Sequence, residues 1–218
     1  MENKEFDYAK DNLEMRPLEH YLELYKAADP FEMAERTGVE YNPDTNEFHL
    51  HVLNKGYFIS YPDFEIRKED EEDTSYHSLL DFHKTKIFVL RFLVECRMVP
   101  STGNYVTYRD IPNGELYFRQ FQGRCIFRLQ FGYGFKLDKF RAGMEQMGGK
   151  PVKMGDVAYS FEIMDGLSMI FIFWEGDEEF QPSAQILFSD NFASVFKAED
   201  LAVAGDISIG NLKAITGK

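Results

Sequence analysis

Arginines and aromatic rings crowd one stretch of this chain. Arg109, Arg119, Arg124 and Arg128 fall among Tyr105, Tyr108, Tyr117, Phe118 and Phe121. A guanidinium grips a carboxylate or phosphate through parallel hydrogen bonds, and an aromatic face stacks on a planar group. Set in glycine-rich loops, these residue types predict a site for a small anionic or planar ligand, or for a partner protein. The binding residues so assigned are Arg109, Arg119, Arg124, Tyr105 and Tyr108, with the only tryptophan, Trp174.

Other patterns offer other chemistry. Trp174 is followed by Glu175, Asp177, Glu178 and Glu179, and Asp190 stands beyond the next apolar run. Hard divalent cations need several oxygen ligands. Asp177, Glu178 and Asp190 are therefore the alternative site, that of a metal-dependent hydrolase or transferase, although their spacing matches no EF-hand loop. The plainer readings are a solvated hairpin turn, or the acidic counterpart of the arginine-rich segment. His49 and His51 alternate on a strand and share one side, a spacing that metal sites use. Nothing near them in the sequence offers a third ligand, so no metal is assigned. His83 falls on the apolar face of a helix, as a core histidine, and His77 on the polar face. Cys96 and Cys125 form no CxxC pair, and Arg124 beside Cys125 would favour a thiolate. No GxSxG, HExxH, P-loop or GxGxxG is present. The residues specify neither a cofactor nor a reaction, and whether the chain is an enzyme stays open.

The elements that must position these residues emerge from composition and pattern. The 218 residues are 44% hydrophobic and 16% aromatic, enough for a sizeable core in one large domain. An N-terminal helical and hairpin lobe, residues 1–75, could pack on the rest. Net charge is −13, which disfavours nucleic acid and anionic membranes as partners. The charge is uneven: Lys84 to Lys153 holds 13 basic against 5 acidic residues, and the remainder 11 against 32. Pairing of the basic middle with acidic flanks is one reading, and an anion pocket the other. With two cysteines, a charged N-terminus and no run of ~20 apolar residues, a cytoplasmic location is expected.

Along the chain, Phe6 to Ala28 reads as helix with a break or restart at Pro17. Asp29-Pro30 starts a short helix that Gly38 ends. Glu47–Leu53 and Tyr57–Tyr61 form a hairpin around Asn54-Lys55-Gly56, with a third strand over Phe64–Arg67. Glu69–Asp73 reads as a solvated loop. Ser75–Cys96 is a helix whose apolar face is Leu79, His83, Ile87, Leu90 and Val94. Tyr105–Tyr108 is a short strand, and Tyr117–Gln122 reads as loop closed by Gly123-Arg124. Phe135–Met147 is a second long helix. Val157–Met164, Met169–Trp174 and the run from Ala184 to Phe188 are strands, the middle one at the sheet centre. A last helix begins at Ala198-Glu199-Asp200. Together these predict an α+β fold with a mostly antiparallel sheet and packed helices.

The stretches PSTGNYVTYRDIPNG (Pro100–Gly114), FQGR (Phe121–Arg124), MGGKPVKMGDVAYSF (Met147–Phe161), WEGDEEFQPSAQILF (Trp174–Phe188) and AEDLAVAGD (Ala198–Asp206) resemble the prokaryotic domain-of-unknown-function family 3786, as do Glu35-Arg36-Thr37-Gly38 and Tyr41. The resemblance implies a cytosolic protein of anaerobes. It implies no established activity and no catalytic residues. Some members resemble fusions to a cysteine-rich iron–sulfur segment, and this chain lacks those cysteines. Where relatives place a hydroxyl N-cap before Glu199-Asp200, this chain has Ala198.

Overall fold

The computed structural model describes residues 15–176 and 179–217. Phe6 and Leu13 of the expected first helix, and the carboxylates Asp177 and Glu178, lie outside them. Pro17 sits in the first turn of α1 (Arg16–Ala27), where its missing N–H is no loss. Asp29 Oδ1 accepts from the backbone N–H of Phe31 and Glu32 at 2.8 and 3.1 Å. That caps α2 (Pro30–Thr37), and Gly38, at φ 73°, ends it.

The hairpin forms, with its turn shifted by one residue. β1 (Glu40–Asn42) pairs with β2 (Glu47–Val52), which pairs with β3 (Lys55–Ser60), and β3 with β4 (Ile66–Lys68). Leu53 and Asn54 make the turn with φ 50° and 64°, the left-handed pair that a tight two-residue loop requires. Gly56, expected in the turn, lies in β3 opposite His51.

The predicted Ser75–Cys96 helix is two helices, α3 (Ser78–Asp81) and α4 (His83–Glu95), with Phe82 extended between them. Ser78 Oγ and Thr85 Oγ1 meet at 2.7 Å across the break. The break rotates the buried face. Of the expected stripe Leu79 and Leu90 are buried, while His83, Ile87 and Val94 are only half-buried, and Thr85, Phe88, Val89, Phe92 and Leu93 fill the rest of the face. His77, expected on a polar face, is buried, with Nδ1 3.0 Å from the Tyr57 hydroxyl. Burial pushes its pKa down.

Residues 117–124, read as loop, are helical. β5 (Tyr105–Thr107) leads through a 3-10 turn at Tyr108–Asp110 into α5 (Gly114–Phe121), a π turn at Gln122–Ile126, and α6 (Phe127–Tyr133). Gly123 does not stop the helix: it lies inside the π turn, whose Cys125 and Ile126 are buried. α7 (Leu137–Gln146) comes next, then β6 (Lys150–Pro151), β7 (Val157–Met164), β8 (Leu167–Trp174), β9 (Ser183–Ser189), α8 (Phe192–Val195) and α9 (Ala198–Thr216).

The fold is α+β, built on a nine-stranded antiparallel sheet in the order β4-β3-β2-β7-β8-β9-β5, with β1 on β2 and β6 on β7. β7 is the middle strand of that path; β8, expected at the centre, is next to it, between β7 and β9, and is buried on both faces. Met169, Phe171 and Phe173 join the main core beneath the helices, while Ile170 and Ile172 pack with Ala158 on the outer face. The hairpin belongs to the same sheet, because Val52 pairs with Met164 and the main core includes Phe48, Leu50 and Ile59. Among the described residues no helix is long and apolar enough to cross a membrane.

Candidate functional site

A cleft of about 550 Å³ opens between α4, the α5–π-turn segment and the start of α9. Lys84, Arg91, Tyr117 and Arg124 stand on its walls, with Asp200 and Glu199 from α9. Behind them lies Asp206, only 6% exposed. Its carboxylate accepts from Lys84 Nζ and Arg124 Nη2, each at 2.9 Å, and from Arg128 Nη1. Burial by itself would raise the pKa of Asp206. Hydrogen bonds from these three cations override that and hold it down at about 2. Three positive heads around one negative charge leave two in excess, one of which the Glu199 carboxylate on the cleft wall offsets. Asp206 thus fixes cations that remain about one-third exposed. Arg91 is spent differently, bonding to Asp200 and lying 3.5 Å from Glu95.

Local sequence explains the convergence. The π turn widens the helix by one residue per turn; Arg124 lies within it and Arg128 just beyond it, and both reach Asp206 on α9. Gly205 lets α9 approach, since a Cβ there would stand 2.9 Å from Cys125 Sγ. Asp200 accepts from the Lys197 N–H, so α9 is capped without the hydroxyl that Ala198 lacks.

The predicted binding residues are not one cluster. Arg124 and Tyr108 reach the cleft, but the Tyr108 ring is already stacked on Phe121 (4.0 Å between centroids) and its hydroxyl donates to the Ala198 carbonyl. Arg109 lies over the Phe118 ring at 3.8 Å and 3.5 Å from Glu115. Arg119 is solvent-exposed on α5. Tyr105 packs on the outer sheet face, its hydroxyl 3.1 Å from Ser160 Oγ. Trp174 is exposed at the end of β8. Sequence reasoning missed Lys84 and Arg91, although their spacing of about two helical turns puts both on one face of α4.

Of the acidic alternative, Asp177 and Glu178 lie outside the described residues, and only Asp190 can be placed. Its carboxylate accepts from Ser101 Oγ, Thr102 N–H and Thr102 Oγ1, pinning the loop before β5. It sits just past the end of β9 opposite the acidic turn. Arg109 and Arg124 find their acidic partners in Glu115 and Asp206, not in Glu175. The thiols are buried. Desolvation pushes both Cys96 and Cys125 up to about 12, so Arg124 does not activate Cys125.

A sequence profile described as Domain of unknown function (DUF3786) matches residues 29–211. The chain belongs to the DUF3786 family. The match spans α4, the α5–π-turn segment and the first turns of α9, while Pro17 of α1, which also borders the cleft, lies outside it. No curated protein and no solved structure matches this DUF3786 chain.

One further group of ligand atoms converges in it. A ring nitrogen each of His49 and His51 and a Glu69 carboxylate oxygen lie within 4.8 Å of one another. The loop Glu69–Asp73 is therefore not only solvated surface. Glu69 faces the two imidazoles, and Asp73 pairs with Lys55. Hydrogen bonds from Lys55 and Ser75 hold the Asp73 carboxyl far below its usual range.

Proposed function

We propose that this DUF3786 protein is a binding or accessory module that holds a small anionic ligand in the cleft between α4, the π turn and α9. One observation carries the reading: a buried carboxylate, Asp206, fixes three cation heads and neutralises only one of them. A guanidinium has five N–H donors, and Arg124 gives Asp206 one hydrogen bond. Donors are left that can turn to a carboxylate or phosphate in the cleft. Side chains already held in place lose less entropy on binding than free ones. Tyr117 adds a planar wall.

Thermal melts with inorganic phosphate, pyrophosphate, malonate and adenosine monophosphate test this reading. At 100 times its dissociation constant, a ligand adds about 2.7 kcal/mol. A charge-assisted hydrogen bond contributes ~1.5–3 kcal/mol, so Arg124→Gln is expected to weaken binding roughly ten-fold or more. Stabilisation by none of the four, or stabilisation that Arg124→Gln leaves unchanged, rejects the cleft as the site.

A further inference from the structure

We infer that His49, His51 and Glu69 form a binding site for a divalent first-row transition-metal ion on the outer face of the sheet. The site arises from strand register. His49 and His51 alternate along β2, so both leave the face opposite Phe48, Leu50 and Val52, which are core residues. Across β3, His49 is paired with Phe58, and His51 with Gly56. β4 ends at Lys68, and the next residue, Glu69, still donates its N–H to the Gly56 carbonyl at 3.0 Å. The row therefore reads His51, Gly56, Glu69. Because Gly56 has no side chain, the Glu69 carboxylate folds back over it. A Cβ there would fall 1.8 Å from Glu69 Oε2.

The ligand atoms are already near their coordinated spacing. His49 Nε2 is 3.4 Å from Glu69 Oε1, and His51 Nε2 is 3.8 Å from Glu69 Oε2. A tetrahedral ion with bonds of about 2.0–2.2 Å separates its ligands by about 3.3 Å. His49 Nε2 is a buried polar atom with no hydrogen-bond partner, a costly state unless something else accepts its lone pair. The ring is held by stacking on Phe58, 4.7 Å between centroids.

A second layer orients the first. Asp165 Oδ1 and Oδ2 lie 3.0 and 3.3 Å from His51 Nδ1, and Oδ2 also accepts the His51 backbone N–H at 2.8 Å. A carboxylate on Nδ1 puts the proton there and turns the Nε2 lone pair outward, the arrangement found behind metal-bound histidines. Glu40 Oε2 stands 3.9 Å from His49 Nδ1, too far for a hydrogen bond but near enough to add negative charge beside the ring. Two imidazoles and one carboxylate suit zinc, iron(II), cobalt or nickel rather than magnesium or calcium. Three protein ligands leave a coordination position open. His51 and Asp165 also border a cleft of about 450 Å³ with Ser160, Glu162 and Ser168, separate from the basic cleft.

Calorimetric titration of the full chain with Zn²⁺, and absorption spectra with Co²⁺, test the site. One equivalent per chain is expected, with ligand-field bands in the Co²⁺ spectrum. His51→Ala and Glu69→Gln should each weaken binding by more than about 100-fold, and Asp165→Asn by about 10–100-fold. Gly56→Ala should weaken it by displacing Glu69, and Glu71→Gln should not change it. All the ligands are on the sheet's outer face, and far-UV circular dichroism of each variant checks that the fold is kept. Less than stoichiometric binding by the parent chain, or one equivalent retained in both His51→Ala and Glu69→Gln, overturns the inference.

Discussion

Asp206 decides most of what the basic cleft can do, and its titration is measurable. Its folded pKa of about 2 lies below the ordinary 3.8 because Lys84, Arg128 and Arg124 outweigh the burial that would raise it. The folded state thus binds that proton less tightly than the unfolded chain. The resulting stability is fully present above the unfolded pKa and is lost as pH falls through about 4 towards 2. At about 1.4 kcal/mol per pH unit, the effect is roughly 2 kcal/mol. Unfolding free energies of the parent and Asp206→Asn should therefore diverge as pH rises from about 2 to 5 and run parallel above that. A gap independent of pH would show that the three cations do not stabilise the ionised form. At this scale the sequence was half legible. Arg124 stands out by type and spacing, but its partner is 82 residues away and no local pattern names it. His49 and His51 announce a shared face by alternation alone. Glu69 hides in an acidic run, and only the β2–β3–β4 register selects it.

At the scale of elements, the π turn and α9 fit because one glycine allows it. Ala at position 205 would bring Cβ to 2.9 Å from Cys125 Sγ and 3.6 Å from Phe121 Cε2. In an open helix, Gly→Ala gains about 1 kcal/mol. Overpacking a closed contact costs about 1–3 kcal/mol, so Gly205→Ala should destabilise by about 1 kcal/mol in denaturant melts. With Cys125→Ala in the same chain the clash is gone, and the substitution should turn neutral or stabilising. A stabilising Gly205→Ala on its own would mean that the approach is not tight. The elements read best where backbone chemistry is local: the Asp29-Pro30 cap, the Gly38 stop, the alternation in β7 and the unbroken apolar run of β8. They read worst where tertiary packing overrides local signals. Glycine at 123 and the three aromatic residues Tyr117, Phe118 and Phe121 suggested loop, yet the helix runs through them, because Phe121, Cys125 and Leu129 bury against the core. The extended Phe82 carries no proline or glycine signal, so the break between α3 and α4 was not legible.

For the whole molecule, the charge asymmetry of the chain resolves into specific pairs. Lys84, Arg91, Arg124 and Arg128 of the basic middle meet Asp200 and Asp206 of the acidic C-terminal segment. Pairing of the basic middle with the acidic flanks is thus what the ion pairs bear out, and the anion pocket is the function proposed for the same place. The same long-range logic bears on whether residues 1–75 form a separate lobe. β2 joins β7 through Val52 and Met164, Leu53 N–H bonds to the Ile163 carbonyl, and Arg36 donates to carbonyls of Leu93, Val94 and Cys96. Contacts of that kind couple the segments, and the expectation is one cooperative unit. The Asp29 cap is in the N-terminal segment, and the only tryptophan, Trp174, is on β8. Asp29→Ala should cost about 1 kcal/mol, a fall of roughly 2–4 °C in Tm for a chain of this length. In one cooperative unit, Trp174 fluorescence reports the full fall and coincides with far-UV circular dichroism. If the N-terminal segment unfolds by itself, the Trp174 transition stays where it was while the dichroism splits in two, and the coupling through Val52 and Arg36 is then too weak to join the halves.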